Sequence, residues 1–245
     1  MPEMTVATRH WLQSAAALPA SEESPAVSPY TTICQIGKRR FLMNASTTAI
    51  LLIGYQNDYF GEDGILRGVL ESPERTDEVL ANTISLIDAV QGTEISIIAT
   101  PIIFSEDYSE IRQAGGILAA IKEAGAFRVG STGADTVPEI QAFGDRIVEV
   151  PGKRGLNAFP GTDLGKKLHK GGISDVIVAG AVTSICIDST ARAAYELGMN
   201  VIVLEDCTAA RTAAEQDFFC ETVFPTYASV QNSADVVNGL VGQTA

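Results

Sequence analysis

Residues 174–206 read SDVIVAGAVTSICIDSTARAAYELGMNVIVLED. Asp175–Ala179 is a buried-strand pattern and Val201–Leu204 is another. Between them, Ile185–Leu197 carries Ile, Ala, Tyr and Leu at helical spacing, and Gly198 is placed to stop the helix. Strand, helix and strand in this length make a βαβ unit, so the two strands run parallel with a right-handed crossover. Cys186 falls in the first turn of that helix. Unpaired backbone N–H groups and the positive end of the helix dipole there favour a thiolate. Ligands of open α/β sheets collect at the carboxyl ends of the strands, where this turn stands.

Outward from this unit the pattern repeats. Ala49–Tyr55 is a continuous apolar run, as in a central parallel strand. Pro73–Val90 is helical, with Val79, Leu80, Ile84, Leu86 and Ile87 as its buried stripe. Ile95–Phe104 follows as a strand in which Pro101 marks a bulge or the end of regular pairing. The spacing then predicts a helix over Tyr108–Ala124, divided at Gly115–Gly116, a strand over Arg146–Val150, and a helix over Thr162–Lys170 capped by Thr162. Beyond the central unit come a helix over Ala213–Thr222, a strand over Tyr227–Gln231 and a helix over Ala234–Leu240. Alternation of this kind is the mark of a doubly wound, mainly parallel sheet in a three-layer αβα sandwich, Rossmann-like in plan. That domain occupies residues 47–245. Residues 1–46 form an extension: an amphipathic helix over Val6–Leu18, a Ser/Pro/Glu linker, and short strands within Thr31–Met43.

Composition narrows the function. A formal charge of −13 and a pI near 4.5 argue against sequence-independent nucleic-acid binding and against docking on anionic lipid. No apolar run is long enough to span a bilayer. Cys34, Cys186, Cys207 and Cys220 show no C-x-x-C pair, which fits free thiols in a reducing, cytoplasmic compartment. The chain has no dinucleotide fingerprint, no Walker A loop and no G-x-S-x-G elbow, so no cofactor is expected. With only His10 and His169 available, a Cys–His machine and a multi-histidine metal site are both disfavoured. A nucleophilic Cys186 then needs another activator, and Lys153, in VEVPGKRGLNAF after the strand at 146–150, is the natural one. A lone cysteine at a helix start is most often a packing residue, and a lone loop lysine most often a solvated charge. Their shared position at strand ends is what links them.

Three pieces of the chain resemble the isochorismatase-like cysteine hydrolases. AGAVTSICIDSTARAAYELG followed by VIVLED is similar to the family's nucleophile segment, with Cys186 in the nucleophile position. KRGLNAFPGTDL is similar to its lysine loop, with Lys153 in the catalytic position, and ILLIGYQNDYF to its first strand. The likeness covers about Thr48 to Val230. It implies that Cys186 attacks a small amide's carbonyl or imidate carbon to give a thioester-type intermediate that water resolves. It also implies a cis peptide between Ala181 and Val182, which would turn the Val182 N–H toward the Cys186 N–H to make an oxyanion hole. Dimers or tetramers of the chain are implied as well.

The chain departs from the family at one position. Gly54 stands where the resemblance calls for the catalytic aspartate, while Gln56, two residues on, would face the pocket. Glu106 and Asp107, after the strand ending at Phe104, could supply a replacement carboxylate; Asp58 is expected to cap the loop. Arg154 and Asn157 are substrate-binding candidates, with loop-stabilising hydrogen bonds as the alternative. The family's nicotinamidase metal motif has no counterpart, so no metal is expected. Two readings therefore stand: a metal-independent hydrolase of a C–N bond in a small molecule, or an impaired pseudo-enzyme or small-molecule-binding oligomeric scaffold.

Overall fold

The apolar runs at Ala49–Ile53 and Val176–Ala179 become the two strands at the centre of the sheet. A computed structural model of the chain describes residues 43–112 and 115–241. The helix expected over Val6–Leu18 and, Met43 apart, the strands expected within Thr31–Met43 lie outside those residues, as do His10 and Cys34.

Six parallel strands form one sheet: β1 (Thr48–Ile53), β2 (Ser96–Thr100), β3 (Ile147–Glu149), β4 (Asp175–Ala181), β5 (Asn200–Ala209) and β6 (Ser229–Gln231), in the order β3-β2-β1-β4-β5-β6. Every residue of β1 and β4 is buried, as continuous apolar runs demand when both faces of a sheet are covered. The chain builds outward from β1 in one direction, then returns to β4 on its other side. The β1–β4 boundary is therefore the topological switch point, where such sheets open a crevice beyond their carboxyl ends.

Among the described residues eight α-helices accompany the strands: α1 (Asn57–Phe60), α2 (Pro73–Val90), α3 (Gly116–Ala124), α4 (Pro138–Gln141), α5 (Leu164–Lys170), α6 (Asp188–Glu196), α7 (Ala213–Phe218) and α8 (Ser233–Val241). Together they make the expected three-layer sandwich. Helix α2 has the bounds expected of it; Ser72 caps it by accepting the Arg75 N–H, and Val79, Leu86, Ile87 and Val90 are buried. Strand β2 stops at Thr100, directly before Pro101, since proline cannot donate to the ladder.

Other elements are shorter than expected. Only the second half of Tyr108–Ala124 is helical, as α3; Tyr108 itself has φ +54°, incompatible with a helix, and its region forms turns. Thr162 does not occupy the cap position of α5, yet its Oγ1 still accepts the Leu164 N–H at 3.2 Å. Cys186 does not lie in an α-helical first turn. It sits in a π-helical turn, Thr183–Ile187, that precedes α6, and Ile187 N–H donates to Val182 O five residues back.

Gly180 explains the glycine in the AGA segment. Its φ is +125°, and a Cβ there would lie 1.8 Å from Ile53 O, its neighbour on β1. The two central strands approach so closely at their carboxyl ends that no side chain fits.

Candidate active site

The lysine loop and the π turn meet at the carboxyl edge of the sheet. Lys153 is bridged in parallel to Ile102, just beyond the end of β2, and its side chain is fully buried. Its Nζ donates to Cys186 Sγ at 3.5 Å and to the Gly155 carbonyl. Burial pushes the Lys153 ammonium below its ordinary value, while negative charge at Cys186 and the hydrogen bond to it push the other way. Thr190, one helical turn after Cys186, accepts the Ala158 N–H at 3.1 Å and so ties the lysine loop to α6. Its i+4 spacing from Cys186 was the signal available in the sequence.

The Ala181–Val182 peptide is cis. The Val182 N–H donates to no carbonyl among the described residues, while Val182 O accepts from Ile185 N and Ile187 N. Thr183 Oγ1 donates to Gln216 Oε1 at 2.6 Å, anchoring the π turn to α7. Ser184 Oγ, between them, is buried without a partner among the described residues.

The QND segment serves a different purpose from the one expected of Gln56. The Gln56 amide donates to Ile102 O at 2.8 Å and Ala134 O at 2.6 Å, and its oxygen accepts the Ile102 N–H at 2.8 Å. That uses both its donors and one of the two lone pairs of its oxygen, so the amide is held by the protein's own backbone. Asn57 donates to Thr132 O, and Asp58, buried, accepts the Phe127 N–H at 2.6 Å. The three side chains thus staple the segment around residues 127–134 to the end of β1, which agrees with a loop-holding role for Asp58.

Among the described residues neither possible replacement acid makes a hydrogen bond to Cys186. Glu106 and Asp107 are exposed in a turn. Asp107 accepts from Ser105 Oγ and Ser109 N, bonds that hold its carboxyl below the ordinary range. Arg154, half exposed, is paired with Glu110 at 2.7 Å, and Asn157 Oδ1 accepts the Phe159 N–H at 2.9 Å. Asn157 therefore braces its own loop, while Arg154 ties the loop's rim to the turn that carries Glu110.

At Gly54 the position of the missing aspartate is not empty. Its φ is +76°, a conformation L side chains rarely adopt, and a Cβ there would meet Ala181 O at 3.0 Å and Tyr59 Cδ2 at 3.4 Å. The buried Tyr59 ring fills the space beside it, packed against Phe127 with centroids 5.1 Å apart.

The remaining polar residues are structural. Asp188 accepts from Arg192 and from the Tyr227 hydroxyl, and Asp206 accepts the Ser233 N–H and hydroxyl at the start of α8. Cys207 and Cys220 are free and buried, and burial pushes both thiols up to about 12. Among the described residues no group of three or more His, Cys, Asp or Glu side chains could hold a metal ion, and no helix is long and apolar enough to cross a membrane.

The isochorismatase domain family matches residues 48–235. The chain is 28% identical over 198 residues to the uncharacterised isochorismatase family protein YecD of Escherichia coli O157:H7, covering 81% of this chain and 98% of that one. It is 26% identical over 166 residues to Nicotinamidase 3 of Arabidopsis thaliana, covering 68% of this chain and 75% of the relative. A solved isochorismatase family protein of Burkholderia thailandensis, 27% identical, superposes with a TM-score of 0.63 over 81% of this chain and 97% of its own.

Proposed function

The chain belongs to the isochorismatase family, and on that premise we propose that it is a cysteine hydrolase cleaving a C–N bond of a small molecule without a metal. One observation carries this reading: a fully buried ammonium, Lys153, within 3.5 Å of the Cys186 sulfur. A buried cation without a counter-charge is costly, so the arrangement is most stable when the sulfur carries the negative charge. One relative is named a nicotinamidase, which supports amide hydrolysis as the reaction class.

In this reading the Cys186 sulfur attacks the carbonyl carbon and the carbonyl electron pair moves to oxygen. The Val182 and Cys186 N–H groups receive that oxyanion; one such donor is typically worth ~3 kcal/mol. Collapse expels the amine and leaves a thioester, which water resolves. Arg154, at the rim, contacts whatever part of the substrate projects outward.

The pseudo-enzyme reading draws on Gly54 and the solvent-facing Glu106 and Asp107. One experiment separates the two. The full-length protein is incubated with a library of small amides and examined by intact mass for an acyl adduct. The hydrolase reading expects an adduct on Cys186 that is absent in Cys186→Ser. Neither product nor adduct favours the alternative, and product that Cys186→Ser still forms contradicts Cys186 as the nucleophile.

A further inference from the structure

Strand β5 carries an insertion beside the end of β4. Val203 pairs with Val178 and Thr208 with Gly180, so the four residues Leu204–Cys207 stand opposite the single residue Ala179. A bulge of this size takes backbone carbonyls out of the ladder, and each then needs another donor. Helix α2 supplies several: Arg75 Nη2 donates to Glu205 O at 2.6 Å and to Thr208 O at 3.2 Å, and Asn82 Nδ2 to Asp206 O at 2.9 Å. Thr208 Oγ1 donates to Leu204 O at 2.9 Å, and Tyr55 Oη to Cys207 O at 3.2 Å. The bulge is thereby pinned along its whole length.

Gln216, buried on α7, reaches from this bulge to the π turn. Its Nε2 donates to Thr208 Oγ1 at 3.0 Å and to Glu205 O at 3.2 Å, and its Oε1 accepts the Thr183 hydroxyl at 2.6 Å. A backbone carbonyl can only accept, so the Glu205 contact fixes which end of the amide faces the turn. Thr183 is fully buried, one residue after Val182 and three before Cys186. Among the described residues, Thr183 and Cys186 are the two side chains of the turn that hydrogen-bond beyond it, Cys186 with Lys153.

We propose that Gln216 is a positioning residue for the reaction: through Thr183 it fixes the direction of the Val182 and Cys186 N–H groups that receive the oxyanion. This rests on the hydrolase reading above. An oxyanion donor acts only while it points at the oxygen's place in the tetrahedral adduct, and a turn free to rock loses that aim. The sulfur keeps two other ties, the Lys153–Ile102 bridge and the Thr190–Ala158 bond. Loss of the Thr183–Gln216 bond should therefore impair a step that creates an oxyanion and spare one that does not.

Two reactions of the same sulfur separate these steps. 4-Nitrophenyl acetate acetylates it through a tetrahedral adduct and releases 4-nitrophenolate; iodoacetamide alkylates it by displacement of iodide, with no oxyanion. Both rates are followed by intact mass and peptide mapping in full-length wild type, Thr183→Val, Thr183→Ser and Gln216→Met. The proposal expects acetylation of Cys186 to fall roughly tenfold to a hundredfold in Thr183→Val and Gln216→Met, short of the loss of a whole donor. Alkylation should change by less than about threefold, and Thr183→Ser, which keeps the hydroxyl, should acetylate within about threefold of wild type. Equal losses in both reactions, no loss in acetylation, or a Thr183→Ser as slow as Thr183→Val overturn the assignment and leave Cys186 as nucleophile. A variant in which Cys207 and Cys220 also react is unfolded, and the other variant decides; unfolding of both makes the bond structural and overturns the assignment. Failure of 4-nitrophenyl acetate to acetylate wild-type Cys186 overturns the hydrolase reading and this inference with it.

Discussion

Lys153 and Cys186, 33 positions apart in sequence, are joined by a 3.5 Å contact between Nζ and Sγ at the carboxyl edge of the sheet. The lysine is fully buried and the cysteine 3% exposed, so neither charge is shared with bulk water. Three ties hold the contact: the bridge from Lys153 to Ile102, the Thr190–Ala158 bond, and the Thr183–Gln216 bond. Taking a pair so enclosed out of water carries a desolvation cost that its mutual attraction must offset.

Stability should reveal that cost. Burial lowers Lys153 from its ordinary value, so between the lowered and the unfolded value the unfolded chain binds more protons, and stability rises with pH. The penalty is therefore fully present below the lowered value and fades as pH rises toward the ordinary one. Lys153→Met should be more stable than wild type at pH 7 by roughly 1 kcal/mol in urea unfolding, with the gain shrinking toward pH 10. A variant less stable than wild type at pH 7 would show that the ammonium contributes net stability.

Thiol labelling should follow charge and not exposure. Cys220 is 7% exposed against 3% for Cys186, yet burial pushes Cys207 and Cys220 up to about 12. Limited iodoacetamide treatment at pH 7.5 followed by peptide mapping should find Cys186 modified well before the other two, which react only on unfolding. Faster labelling of Cys220 would contradict the expected order.

Restoring an aspartate at position 54 should not restore a family-type site. The left-handed backbone and the 3.0 Å approach to Ala181 O mean that Gly54→Ala and Gly54→Asp each lose about 1–3 kcal/mol in denaturant unfolding. A stable Gly54→Asp variant would mean that the backbone relaxes at no cost.

The sheet was legible because its central strands are unbroken apolar runs, but the strand order that places the switch point between β1 and β4 was not. Cys186 and Lys153 were legible by their places at strand ends, helped by the family likeness, but not their contact, which depends on how a loop folds back over α6. Gln56 was misread for a physical reason. Strand alternation was carried through residue 56, whereas β1 ends at Ile53 and the left-handed turn at Gly54 breaks the period. Tyr108–Arg112 carries a helical pattern that a positive φ at Tyr108 overrides. Tyr59 gave no separate signal, since an aromatic beside a strand end is most simply core.

Gln56 offers a check on that correction. Gln56→Glu keeps the shape but removes the two donated bonds, to Ile102 O and Ala134 O, and places an acid beside carbonyl oxygens. The change should cost about 1–3 kcal/mol of stability, without altering preference among whatever substrates are found. A variant of wild-type stability with altered substrate preference would return Gln56 to the pocket.

The activation of Cys186 by Lys153 is tested most directly by its alkylation rate with iodoacetamide across pH 6 to 10 in wild type and Lys153→Met. Wild type should react roughly tenfold or more faster at pH 7, because the ammonium stabilises the attacking anion. That advantage should vanish as alkaline pH strips the lysine of its charge and ionises free thiols. Superimposable curves would mean that the lysine does not act on the sulfur, and the account of this site would fail.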